Sequence, residues 1–249
     1  MFCLKDKIAF VTGAARGIGF VTAEKLAESG ASVALGDING PSVEESAERL
    51  RQKGYKAIGV RMDVTDDASI REAVGRAAEH FGGIDIIVNN AGILSAASIE
   101  DMQRAEWNRV IDVNLSGTFF VIQAALPYLK NSKHPRIINI SSLSGRSGGF
   151  EGSMCYAASK GGIIAITRGM ARKLAPLNIT VNAVCPGTTE TDLLKSYTPE
   201  AIERQKKYIL LGRLGQPDEI AAAVCYLAST EAGFVTGAML DINGGAYMG

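Results

Sequence analysis

The chain is short of histidine. It has two, His80 and His134, both in helix-end or loop contexts and away from the carboxyl end of any strand. A histidine metal site and a Ser-His-Asp triad therefore have no support. The four cysteines, Cys3, Cys155, Cys185 and Cys225, are scattered and form no C-x-x-C pair. That excludes a disulfide scaffold and is expected of reduced thiols in a cytoplasmic protein. Net charge is missing too: 26 Lys+Arg balance 26 Asp+Glu, with no basic run. Nucleic-acid and acidic-membrane partners are not expected. No run of roughly 18 apolar residues appears, so no membrane span is expected. Lys5, Asp6 and Lys7 stand where a signal peptide would need an apolar core.

Glycine is plentiful, and three glycines fall in one place. Ile8-Ala9-Phe10-Val11 reads as a buried strand. Thr12-Gly-Ala-Ala-Arg-Gly-Ile-Gly19 follows, and then a helical pattern up to Gly30. Strand, tight turn and helix N-terminus make an anion-binding geometry. The first N–H groups of a helix lack internal partners, and the helix dipole adds positive potential there. Gly13, Gly17 and Gly19 remove the Cβ atoms that would hold a diphosphate away. No Lys-Ser/Thr pair follows the glycines, so a P-loop is not expected.

Six further short apolar runs read as strands: Ser32–Gly36, Lys56–Met62, Asp85–Asn89, Arg136–Ser141, Thr180–Val184 and Met239–Ile242. Helical patterns separate them at Val43–Lys53, Ser69–His80, Arg104–Leu129, Tyr156–Leu174, Ala201–Lys207 and Asp218–Leu227. Ser69 or Asp67 is the expected cap of the helix that follows Asp63. Strict alternation with continuously apolar strands predicts an α/β fold. It is a single Rossmann-type, doubly wound parallel sheet of about seven strands with helices on both faces. No linker or internal repeat divides the 249 residues, so one domain is expected.

Ligands of such a sheet lie beyond the carboxyl ends of its strands. The residues there are Gly13–Gly19, Asp37, Asp63-Val64, Asn89–Gly92, Ser141-Ser142 and Pro186-Gly187, small, polar or turn-forming throughout. Asp37 follows Gly19 by 18 residues. It either opens the Asp37–Gly40 turn or accepts hydrogen bonds from an adenosine ribose; the glycine turn upstream favours the ribose. Asp63 is either a turn residue or a neighbour of the adenine. Tyr156 and Lys160, four apart, share one helix face. Bringing a phenol from a pKa of about 10 to a useful acid–base takes roughly 3–4 kcal/mol. One cation at about 4 Å in a partly screened site supplies that much. Ser142 follows the fifth strand and either serves a turn or bonds the same substrate oxygen as the phenol. Asn114, a mediocre helix former inside a helical stretch, faces solvent or bonds a backbone group or a water.

In order along nearly the whole chain, Thr12–Gly19, Asn89-Asn-Ala-Gly92, Asn114, Ser142, Tyr156-x-x-x-Lys160 and Pro186-Gly187 resemble the short-chain dehydrogenase/reductase family. Its 3-oxoacyl-carrier-protein reductases and NAD-dependent secondary-alcohol dehydrogenases are the nearest in pattern. The resemblance implies Tyr156 as general acid/base, Lys160 lowering its pKa and holding the nicotinamide ribose, and Ser142 orienting the substrate oxygen. It implies that Asn114 holds a water linking Lys160 to solvent. The implied cofactor site takes in Gly13, Arg16, Gly17, Ile18, Gly19, Asp37, Ile38, Asp63, Val64, Asn90, Ala91 and Gly92. Tyr156, Lys160, Pro186, Gly187, Thr188, Thr189 and Thr191 complete it, and Asn89 would border the cleft. Two departures stand out: the Ser142–Tyr156 gap is one residue longer than the family pattern, and Asn243-Gly-Gly replaces Asp-Gly-Gly.

The implied reaction interconverts a secondary alcohol and a ketone with NAD(H), because Asp37 repels a 2′-phosphate; Arg16 is the counter-argument for NADP. The alternative is an NADPH-dependent 3-oxoacyl-carrier-protein reductase, for which Lys130, Lys133 and Arg136 could help dock an acidic carrier. A non-catalytic dinucleotide-binding protein would have no need of Asn114, Ser142, Tyr156 and Lys160. The expected small-molecule pocket is mostly apolar, from Leu94, Ser142, Phe150, Met154, Leu193 and Leu194, with Ile93 and Tyr197 near by. Residues 189–207, which carry Lys195, Lys206 and Lys207, are expected to form a lid. A homotetramer through the two long helices is implied by the family, with Ala157, Ala158, Gly161 and Gly162 allowing close contact.

Overall fold

The structure, a computed structural model, describes residues 2–95, 97–149, 154–191, 194 and 198–249. Phe150, Leu193, Lys195 and Tyr197, expected around the substrate pocket, lie outside the described residues, as does part of the expected lid.

Seven strands form one sheet: β1 (Ile8–Thr12), β2 (Ser32–Asp37), β3 (Ala57–Arg61), β4 (Ile86–Asn89), β5 (Arg136–Ile140), β6 (Thr180–Pro186) and β7 (Met239–Ile242). Their order is β3-β2-β1-β4-β5-β6-β7, and every pairing is parallel. Val11 sits in register with Leu35 on one side and Val88 on the other. Parallel neighbours require crossovers, which the helices supply. They are α1 (Gly17–Glu28), α2 (Gly40–Gln52), α3 (Asp67–Phe81), α4 (Arg104–Ile111), α5 (Gly117–Leu129), α6 (Leu143–Ser147), α7 (Met154–Leu174), α8 (Pro199–Lys206) and α9 (Pro217–Ala228).

Alternate residues of each strand feed opposite faces. Ala9 and Val11 join Leu26, Leu50 and Val224 under α1, α2 and α9. Phe10, between them, joins Ile70, Val121 and Ala171 under α3, α5 and α7. Both faces are covered, so the strands can be apolar throughout. The chain runs outward from β1 to β3 and then returns to β4 on the other side of β1. The β1/β4 boundary is therefore the switch point, where a crevice opens.

Local chemistry sets the helix ends. Asn39 caps α2 through the Ser42 N–H, and Pro41 occupies its first turn, so α2 starts before the first apolar residue of its pattern. Asp66, not Ser69 or Asp67, caps α3 by accepting from the Ala68 and Ser69 N–H groups. The Ser69 hydroxyl instead accepts from the Asp63 N–H. The expected Arg104–Leu129 helix is α4 and α5 joined by a π-turn at Asp112–Ser116. This stretch has a window of mean hydropathy 1.4, apolar enough by composition to cross a membrane. It nevertheless carries Asp112 and a fully buried Asn114, and its α5 face packs on the sheet.

Candidate active site

The glycine turn is held from below by β4. Thr12 Oγ1 accepts from the Asn90 and Ala91 N–H groups at 3.0 and 2.9 Å. The Asn90 amide returns two bonds, to the Thr12 and Gly13 carbonyls, both at 3.0 Å. Gly13 adopts a φ of +63°, where any side chain is strained. A Cβ on Gly19 would lie 2.2 Å from the Gly13 oxygen, so this glycine lets the helix close onto the turn. Gly19 is buried there and does not line the cleft, contrary to the expectation of a cofactor contact. α1 then starts without a side-chain cap and with no acid in its first turn, leaving its N–H groups open to an anion.

A cleft of about 840 Å³ opens over these carboxyl ends. Every other expected cofactor residue lines it: Gly13, Arg16, Gly17, Ile18, Asp37, Ile38, Asp63, Val64, Asn90, Ala91, Gly92, Tyr156, Lys160, Pro186, Gly187, Thr188, Thr189 and Thr191. Asp37 accepts from the Ala15 N–H at 3.1 Å and from the Asn39 N–H at 3.1 Å, which ties β2 to the glycine turn. Asp63 accepts from the Thr65 hydroxyl and N–H at 2.7 and 2.9 Å, and those bonds hold its carboxyl below the usual range. Asn89 does not border the cleft. Its amide is buried in the sheet and donates to Asn139, which donates to Thr167.

The reactive end lies between β4, β5 and α7. Ser142 follows β5 and caps the short α6, its Oγ accepting from the Ser144 N–H at 3.1 Å. Tyr156 and Lys160 sit one turn apart on α7, with Nζ 5.7 Å from the phenol ring centre. Lys160 is 4% exposed and donates to the Ile140 carbonyl at 2.8 Å. Burial pushes its ammonium down to about 8, opposed weakly by Cys185 behind it. The Ser141 hydroxyl donates to the Lys160 carbonyl at 2.8 Å and so ties β5 to α7.

Asn114 lies one layer behind the cleft and is fully buried. The π-turn that carries it brings its amide against Ile93: Oδ1 accepts from the Ile93 N–H at 2.8 Å and Nδ2 donates to the Ile93 carbonyl at 3.0 Å. Nδ2 also donates to Ser159 at 3.0 Å. A Cβ on Gly92 would come within 3.4 Å of both the Asn114 amide oxygen and Lys160 Nζ. Asn114 therefore fixes the loop that passes over the lysine. Among the substrate residues, Leu94, Ser142 and Leu194 line the cleft, whereas Met154, 58% exposed at the start of α7, does not.

The cleft wall also includes residues for which the sequence held no strand-end signal: Arg109 on α4, Gln205 on α8, Tyr208, Ile209 and Ala246. They reach it from helices and the C-terminal turn rather than from β-strand tips. Lys130, Lys133 and Arg136 do not flank it. Arg136 opens β5 at the opposite, amino-terminal end of the strands, buried, with its guanidinium donating to the Ser229 and Pro135 carbonyls. Among the described residues, no group of three His, Cys, Asp or Glu is placed to hold a metal.

A parallel sheet with a glycine turn at its switch point and a Ser-Tyr-Lys set on the same crevice defines an oxidoreductase. It acts on CH–OH groups with a nicotinamide dinucleotide. The family profile described as enoyl-(acyl carrier protein) reductase matches residues 13–247. The chain is 40% identical over 98% of both chains to the 3-oxoacyl-(acyl-carrier-protein) reductase of Aquifex aeolicus. It is 35% identical over 97% of both chains to a hydroxy(phenyl)methylsuccinyl-CoA dehydrogenase subunit from Thauera aromatica. A solved dehydrogenase/reductase structure from Sinorhizobium meliloti superposes with a TM-score of 0.94 at 39% identity, covering 99% of this chain and 97% of that one. The chain belongs to the short-chain dehydrogenase/reductase family.

Proposed function

We propose that the protein interconverts a 3-oxoacyl and a 3-hydroxyacyl thioester with NAD(H), using Tyr156 as the proton donor and acceptor. The observation that carries the reaction is the Ser142, Tyr156 and Lys160 set on one wall of a cleft whose far end holds Asp37. The substrate class rests on two relatives whose names describe acyl groups carried by an acyl carrier protein or coenzyme A. It narrows the ketone or secondary alcohol that the family resemblance implies.

The residues fit the dinucleotide. The open N-terminus of α1 and the glycine turn would hold its diphosphate, Asp37 its adenosine ribose, and Lys160 its nicotinamide ribose. When bound, the nicotinamide supplies the two-electron chemistry. The chain supplies the proton. Ser142 accepts from the Ser144 N–H, so its own O–H is left to donate to the substrate oxygen. Tyr156 gives its phenolic proton to that oxygen in reduction and takes it back in oxidation. The charged Lys160 favours the phenolate. Asn114 acts by holding Ile93 and Gly92 in place.

Asp37 supports NAD(H), because a carboxylate repels a 2′-phosphate; Arg16, exposed on the same rim, supports NADPH. Specificity constants for both cofactors, with 3-oxoacyl-CoA as substrate, test the assignment. A clear NADPH preference would favour the carrier-protein reductase reading that the Aquifex relative's name describes. We further propose a homotetramer. The exposed Trp107, Phe119 and Phe120 on α4 and α5 offer it an apolar face. Of the small residues expected to serve it, Ala158 is exposed, whereas Gly162 packs on Leu115, Gly161 faces Gly145, and Ala157 is buried within the chain. Analytical ultracentrifugation reads the state directly; a monomer would refute it.

A further inference from the structure

We propose that Arg146 is a positioning residue for catalysis: it straps α6, and with it Ser142, to β7 and the C-terminal turn. The proposal rests on the catalytic reading of Ser142 given above. α6 has five residues, too few to be stable alone, so its place depends on tertiary contacts. At its first end Ser142 caps it, and at its middle Gly145 lies against the Lys160 backbone, where a Cβ would meet the carbonyl carbon at 2.6 Å. At its far end the contacts come from Arg146. One guanidinium nitrogen donates to Asp241 Oδ2 at 3.0 Å and to the Gly249 carbonyl at 2.7 Å. The guanidinium carbon lies 5.0 Å from the centre of the Tyr247 ring.

The ion pair is well shielded, with side-chain exposures of 11% for Arg146 and 19% for Asp241. Burial pushes the Asp241 carboxyl up despite the guanidinium beside it, so the pair fixes a position rather than adding stability. Its partners belong to the same strip of chain that reaches the cleft. β7 ends at Ile242, whose carbonyl accepts from the Gly187 N–H, and Ala246 lines the cleft between Asp241 and Gly249. Asn243 closes this turn by accepting from the Gly245 N–H and donating to the Tyr247 carbonyl. Arg146 therefore joins two walls of the reacting end, the one that carries Ser142 and the one that carries Ala246.

Arg146 itself is absent from the cleft lining, so it acts only through position. Displacing a reacting group by about an ångström can cost about a hundredfold in rate. The expected result for Arg146→Met is a kcat for 3-oxoacyl-CoA reduction ten- to a hundredfold below wild type, with NAD(H) affinity, read by NADH fluorescence, within about twofold. Asp241→Asn should lower kcat in the same direction, and the double variant should be no worse than Arg146→Met alone. If Arg146→Met does not fold, Tyr247→Leu and Asp241→Asn carry the test, each with lowered kcat and unchanged cofactor affinity. A kcat within twofold of wild type would overturn the proposal, and so would a parallel loss of cofactor affinity. Wild-type enzyme with no turnover of any thioester or ketone would instead overturn the functional reading beneath it.

Discussion

Lys160→Met should make the protein more stable while destroying its activity. The ammonium of Lys160 is buried and is held at about 8, against 10.5 for a free lysine. A shift of that size corresponds to about 3 kcal/mol against folding whenever the lysine must be charged. Losing the hydrogen bond to the Ile140 carbonyl gives back about 1 kcal/mol. The net gain at pH 7 is then about 2 kcal/mol, a rise in Tm of roughly 4–8 °C for a chain of this size. The sign with pH follows from proton binding. Between pH 8 and 10.5 the unfolded chain holds the lysine proton and the folded chain does not, so wild-type stability rises through that window. The variant lacks this titration, and its advantage should shrink across the same window. Thermal melts of the cofactor-free protein at pH 7 and pH 10 measure both effects, alongside turnover reduced at least about a thousandfold. A variant less stable than wild type at pH 7, or a difference independent of pH, would refute the account of Lys160 as a charge buried for function.

Tyr156→Phe keeps the ring and removes the proton. Turnover should fall at least roughly a thousandfold with near-normal cofactor binding, and a fall of less than tenfold would remove Tyr156 from the chemistry. Gly19→Ala puts a Cβ within 2.2 Å of the Gly13 oxygen, so the turn must open. Cofactor affinity should drop at least about tenfold and stability by about 1–3 kcal/mol. Titration and melting check both. Asp37→Ser removes the carboxylate that supports NAD(H) and frees the Ala15 N–H it holds. The ratio of NADPH to NADH specificity constants should rise at least about tenfold, and an unchanged ratio would place cofactor choice elsewhere.

The sequence by itself determined the sheet, its parallel sense and the positions of the strand tips. Those follow from local patterns: apolar runs of strand length, glycines where the backbone must turn, and Tyr156 and Lys160 four residues apart. It also named most of the residues that line the cleft, because in a doubly wound sheet the tips of the strands meet there. Tertiary structure decided what those patterns do not encode. A π-turn, invisible in an apolar helical run, turned Asn114 inward to bond Ile93 and Ser159. Arg136, polar and apparently available for docking, was drawn into the base of the sheet by two backbone carbonyls. Met154, apolar and next to the site in sequence, was left facing outward. Arg109 and Ala246 reached the cleft from a helix face and a C-terminal turn, and Arg146 on α6 bonds Asp241 and Gly249, about a hundred residues further along. Local free energy fixes where the backbone bends; burial and long-range hydrogen bonds fix which side chains meet at the bend.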